Sequence, residues 1–259
     1  MRDMADLEVT VATVQTVDVE SLRLAERLRE QTRENYAFHN AVMKSVAVAN
    51  AAYTLALLLA STVSPWLWLP FWIASAEIVT VNFMGMFMGS RMIVFDPDWR
   101  DSAYPLGQTM AEFLLFSVLA PVGGSLPMLH YWFAVLAAHA MITVLVFSAI
   151  LERTKRAELA PMMRSFVEFY LRTMRLRRNI LAVNGFAWLG VFILLSFYAL
   201  ARWPELAPWQ ALLGGVAMCG AFIGIASENR SQRELVEFVR STVRRVQVAA
   251  RATVVAAQD

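Results

Sequence analysis

Six stretches of about twenty apolar residues dominate this chain, a length that crosses a bilayer core about 30 Å thick as a helix. They run from Ser45 to Val63, Leu69 to Val94, Gln108 to Met128, Tyr131 to Leu151, Ile180 to Ala201 and Trp209 to Ala226. In lipid, every backbone N–H and C=O must be satisfied within the protein. Runs this long and uninterrupted do that only as helices, because barrel strands are half as long and alternate in polarity. The expected fold is therefore all-α: a polytopic membrane protein with six transmembrane helices in three hairpins, plus amphipathic cytoplasmic helices. Composition agrees. Of 259 residues, 58% are hydrophobic and 17% charged, against about 25% charged in soluble domains. Disorder and nucleic-acid binding are excluded on that ground. Cys219 is the only cysteine, which excludes an intrachain disulfide and a multi-cysteine metal or redox site.

Charge placement sets the expected topology. Short cytoplasmic loops carry excess Lys and Arg. Of the 23 basic residues, only Arg202 falls in an outer turn. Both termini are thus expected in the cytoplasm, and the location is a bacterial inner membrane. Residues 1–44 carry no early apolar run, so they read as a cytoplasmic helical segment and not as a cleavable leader. Residues 45–151 hold four spans with a cytoplasmic loop at 95–107. Residues 152–179 form a basic amphipathic helix, 180–227 the last two spans, and 228–259 a cytoplasmic C-terminal helix. Trp66, Trp68, Trp132, Trp203 and Trp209 mark the outer turns, as an interfacial belt does.

Ionisable groups inside spans are costly and so are candidate functional sites. Glu77, Glu112 and His139 qualify, with Asn82 as a neutral companion and Asn50 and Asn184 elsewhere. Glu77 and His139 stand at similar depth, where a pair can share a proton. An ion or proton path through Glu77, Asn82, Glu112 and His139 is one expectation. The opposing reading is interhelical hydrogen bonding. Met84, Met88 and Met92 share a helix face, and thioethers suit Cu(I). Met is also a common gap filler, so no metal or other cofactor is expected. Asp96, Asp98 and Asp101 lack a glycine-defined calcium loop, and pairing with Arg91 and Arg100 accounts for them.

Association devices are more numerous. Gly85 and Gly89 in the second span, and Gly220 and Gly224 in the sixth, have the spacing that lets helices pack closely. Arg172, Arg175, Arg177 and Arg178 are placed to meet lipid headgroups. Val236, Val239, Val243, Val246 and Ala250 form a short heptad-like seam. Pro121 and the two glycines after Val122 read as a helix breaker near the outer end of the third span. No phosphate loop, dinucleotide fingerprint, zinc-protease motif or nucleophile elbow is present. The expected role is a non-enzymatic component of a larger, oligomeric membrane assembly, such as a secretion, conjugation or other envelope complex. Its expected partners are membrane lipids and further copies or other membrane subunits. The alternatives are an ion- or proton-conducting channel or small-solute transporter, and then an intramembrane enzyme.

Overall fold

A computed structural model describes residues 41–92, 99–156, 164–202 and 207–256, with Glu30, Glu34 and Phe38. They form six helices: α1 (Ala41–Ala60), α2 (Pro65–Met92), α3 (Arg100–Ser117), α4 (Leu129–Arg156), α5 (Arg164–Arg202) and α6 (Ala207–Ala256). No strand occurs among the described residues; one antiparallel bridge joins Val122 and Ser125. All but α3 contain a stretch long and apolar enough to cross a membrane. This is the architecture of a multi-pass helical membrane protein. The N-terminal segment before residue 41, apart from Glu30, Glu34 and Phe38, lies outside the described residues, as do Asp96, Asp98 and Trp203.

The third apolar stretch departs from expectation. Its helix begins earlier, at Arg100, and stops at Ser117 instead of running from Gln108 to Met128. The physical cause lies in residues 118–128. Pro121 and Pro127 have no N–H to donate. Gly123 and Gly124 adopt φ of 58° and 77°, the left-handed region that favours glycine. They form the tip of a tight turn closed by Val122 N–H to Ser125 O at 3.0 Å and Ser125 N–H to Val122 O at 3.1 Å. Conversely, the last two apolar stretches extend without a break. α5 joins the basic segment from Arg164 onward to the fifth stretch, and α6 continues past Ala226 to Ala256.

Helix α2 lies centrally. Trp72 donates to the Ala51 carbonyl of α1 at 3.1 Å and packs its ring on Phe116 of α3. Phe71 makes edge contacts with Trp132 and Phe133 of α4, centroids 5.0 and 5.7 Å away. Trp132 Nε1 donates to Ser75 Oγ at 3.0 Å. Trp68 and Trp132 are therefore core residues and not part of an interfacial belt, whereas Trp66 and Trp209 are exposed. The flanking helices dock through glycines. A Cβ on Gly214 of α6 would stand 2.7 Å from the Phe71 ring, and one on Gly185 of α5 would stand 3.1 Å from Met141 Sδ. Buried Ala217 and Gly224, facing Val81, continue the α6–α2 contact.

At one end of the bundle the α1–α2 turn, the α3–α4 loop and the start of α6 meet. They enclose a cavity of about 220 Å³ lined by residues including Thr62, Ser64, Gly124, Leu126 and Gln210. The outward surfaces of α5 and α6 are strongly apolar, with Val183, Phe186, Leu194, Phe197, Phe222 and Ile223 all exposed. Such a continuous apolar surface is foreign to a soluble monomer and natural in lipid.

Candidate intramembrane polar cluster

Four helices contribute one polar side chain each to a buried cluster. On α1, the buried stripe Lys44, Ala47, Ala51, Thr54, Leu58 follows the 3–4 spacing of a packed helix face. Lys44 thus continues the inward face by one turn, and its ammonium pairs with Oε1 of Glu112 on α3. Glu112 has no solvent exposure and Lys44 has 4%. Asn82 of α2 donates from Nδ2 to the same Oε1 at 2.7 Å and lies 2.5 Å from Nε2 of His139 on α4. His139 Nε2 is 3.7 Å from Glu112 Oε1. The second carboxylate oxygen, Glu112 Oε2, is buried with no hydrogen-bond partner.

A neighbouring rung fixes the register of α3 on α4. Gln108 precedes Glu112 by one turn and donates to Thr143 Oγ1 at 3.0 Å. Thr143 follows His139 by one turn and donates to its carbonyl at 2.9 Å. On the other side of α3, Asn50 donates to the Phe113 carbonyl at 2.8 Å and to Ser117 Oγ at 3.0 Å. A buried charge is tolerated only when paired and hydrogen-bonded. Lys44 and Glu112 supply opposite charges, so the cluster is neutral when His139 is neutral.

Three of the four polar residues singled out for a path, Asn82, Glu112 and His139, thus meet. Glu77 does not join them. It is half-buried, with its Oε2 unpartnered. The expected Glu77–His139 pair is replaced by Asn82–His139. Glu77 precedes Asn82 by five residues, which turns it about 140° around the helix axis. The same five residues shift it about 7.5 Å along the axis, so the expected common depth of Glu77 and His139 fails together with the azimuth. Lys44 was assigned to the cytoplasmic segment. Its place in the 44, 47, 51, 54, 58 stripe was the available signal that it belongs to the first helix face. Asn184 is exposed on α5 and stands apart.

The other candidates distribute as follows. Arg177 turns inward, donating to Glu228 Oε2 at 2.5 Å and to Ser231 Oγ at 2.8 Å on α6. It is held there because α6 stays helical past its apolar stretch and presents Glu228 opposite. Arg172 and Arg175 are exposed, and Arg178 bonds its neighbour Asn179. Gly220 has nothing within 4 Å of a notional Cβ, so the close approach in α6 falls at Gly214 instead. Met84 is half-buried. The side chains of Met88 and Met92, the surroundings of Gly85 and Gly89, and the side chains of the Val236–Ala250 seam lie outside the described part of the structure. Among the described residues no group of three or more His, Cys, Asp or Glu side chains is gathered for a metal ion. No family, curated protein or solved structure matches this chain.

Proposed function

We propose that this chain is a non-enzymatic, multi-pass subunit of a larger, oligomeric assembly in a bacterial inner membrane. It crosses six times, with both termini in the cytoplasm. The observation that carries this reading is the two-sided use of small residues on α6. Gly214, Ala217 and Gly224 close on α2. On the opposite side Gly215 and Cys219 stand one turn apart, Cys219 is exposed, and a Cβ on Gly215 would meet nothing within 4 Å. In lipid, small-residue faces favour helix–helix contact because they let backbones approach.

Six crossings are supported by the polarity of α3. Leu106, Met110, Phe113 and Leu114 are exposed, while Gln108, Thr109 and Glu112 are buried. These three polar residues therefore need no lipid contact. At 18 residues it is about 27 Å long, close to the hydrocarbon thickness. The one-sided placement of basic residues supports cytoplasmic termini.

Cys219 provides the test. Oxidation of native membranes should link copies through this single thiol, and Cys219→Ser should abolish the product. Mass measurement after mild extraction should give more than one chain, or a stoichiometric partner. A monomer without partners, uncrosslinked in the membrane, refutes the reading. A second reading, an ion- or proton-conducting protein, is favoured by the meeting of Asn82, Glu112 and His139. It requires flux in proteoliposomes that Glu112→Gln abolishes.

A further inference from the structure

We propose that the Lys44–Glu112–Asn82–His139 cluster is an intramembrane proton-binding site, in which His139 Nε2 takes the proton and the Glu112 carboxylate, one of whose oxygens has no partner, receives the new N–H.

Hydrogen-bond accounting leads there. The Asn82 amide nitrogen has two N–H groups and no lone pair to offer. One N–H goes to Glu112 Oε1 at 2.7 Å and the other faces His139 Nε2 at 2.5 Å. Nε2 must therefore present its lone pair, which places the single ring proton on Nδ1. Glu112 Oε1 already accepts from both Lys44 and Asn82, while Oε2 accepts from nothing. A carboxylate has about four lone-pair sites, so half of its capacity is idle in a place that water does not reach. A carboxylate with idle capacity 3.7 Å from a basic nitrogen is what a second protonation state needs.

The step balances as simple protonation. One proton enters from water, an N–H bond forms at His139 Nε2, no bond breaks, and the cluster passes from net zero to net +1. The new N–H faces the Asn82 N–H and is repelled. It turns to the Glu112 carboxylate, whose Oε1 is 3.7 Å away. Asn82 meanwhile keeps its bond to Oε1. One carboxylate then serves two cations, so its hold on Lys44 weakens. Proton loading on α4 is felt at α1.

Around His139, Lys44 comes from α1, Asn82 from α2, Glu112 and Gln108 from α3, and Thr143 lies on α4 itself. On α5 and α6, Arg177 pairs with Glu228 and Arg230 with Glu234. The proposal concerns binding and not conduction, so it holds for a subunit or a conductor alike.

The test uses the full chain in lipid nanodiscs with 15N-labelled histidine, titrated from pH 8.5 to pH 5 by NMR, with His139→Asn assigning the signal. At high pH the His139 ring should be the Nδ1–H tautomer, and it should convert to imidazolium within the window. Glu112→Gln removes the anion and should lower proton affinity about tenfold or more, a shift of about one pH unit. Lys44→Met removes the competing cation and should raise affinity by a similar factor. Opposite shifts are the signature, since a loosened bundle would move both variants the same way. An Nε2–H tautomer, a ring neutral down to pH 5, or same-direction shifts overturn the proposal. Where Glu112→Gln fails to assemble, the direction of the Lys44→Met shift alone decides.

Discussion

Gly214 and Gly220 occupy the same helix six residues apart, and the structure gives them opposite roles. A Cβ on Gly214 would stand 2.7, 2.8 and 3.0 Å from three atoms of the Phe71 ring. Real Cβ atoms do not approach carbon that closely, so the ring must move. It cannot move cheaply: Phe71 has no solvent exposure and is wedged against Trp132 and Phe133. Overpacking of this kind costs about 1–3 kcal/mol. Gly220 has open space around its Cβ position. Replacing either glycine by alanine gains the same backbone term, about 1 kcal/mol in a helix interior. That term cancels in the comparison. Gly214→Ala should therefore be less stable than Gly220→Ala by about 1–3 kcal/mol, with Gly220→Ala at or above wild type. Equilibrium unfolding in mixed dodecyl-maltoside and dodecyl-sulfate micelles, read by tryptophan fluorescence, measures the difference. Phe71→Leu should relieve the Gly214→Ala deficit, because it removes the clashing ring atoms. Equal stabilities for the two alanine variants would refute the close approach of α6 to α2.

Lys44→Met leaves a buried carboxylate unpaired and should cost about 3–5 kcal/mol. Adding Glu112→Gln should restore much of that loss, because no charge then remains; the same unfolding assay reads the non-additivity. Arg177→Ala strands Glu228, which is only 6% exposed, and should cost about 1–3 kcal/mol, with faster proteolysis near the α6 end of the contact. Gly124→Val combines a φ of 77° with a Cβ 2.8 Å from Thr62 Oγ1. It should cost about 1–3 kcal/mol, and Thr62→Ala should recover only the steric share. A cysteine placed at Ser125 in a Cys219→Ser background should react with an impermeant thiol reagent from the outer side only, and labelling from the cytoplasmic side would refute six crossings.

Apolar length identified the helices because burying about twenty backbone hydrogen-bonding groups in lipid leaves few alternatives. Five stretches accordingly appear as long helices. In the third, the helix breaker read at Pro121, Gly123 and Gly124 does end the helix, at Ser117, so the apolar letters from there to Met128 overstate its length. Depth was less legible: the sequence reading matches His139 with Glu77, whereas His139 meets Asn82, five residues further along α2, and Glu112 of α3. What composition cannot supply is which way each helix faces. Glu77 was paired with His139 on depth alone, and a turn of about 140° gave the place to Asn82. The glycine motif of the sixth stretch shows the same limit, since Gly224 faces Val81 while Gly220 meets nothing. Spacing announces a small-residue face, but only packing tells which of Gly214, Gly220 and Gly224 meets a neighbour. Lys44 shows the converse error: a basic residue at a span boundary reads as an anchor until the 3–4 stripe behind it is followed.

Helix α3 ties these points together. Its exposed face is Leu106, Met110, Phe113 and Leu114, and its hidden face is Gln108, Thr109, Glu112 and Leu115. That is the reverse of a water-soluble helix. A helix carrying a charge on its hidden face has to be escorted. Glu112 is stable in lipid only if Lys44, Asn82 and His139 are already in place, and those come from three different helices. α3 is therefore expected to enter the bundle after α1, α2 and α4 have met, or together with them, rather than as an independently stable span. The apolar core of Phe71, Trp132 and Phe133 then has a specific task beyond packing. It holds α2 against α4, so that Asn82 and His139 meet with the spacing Glu112 needs.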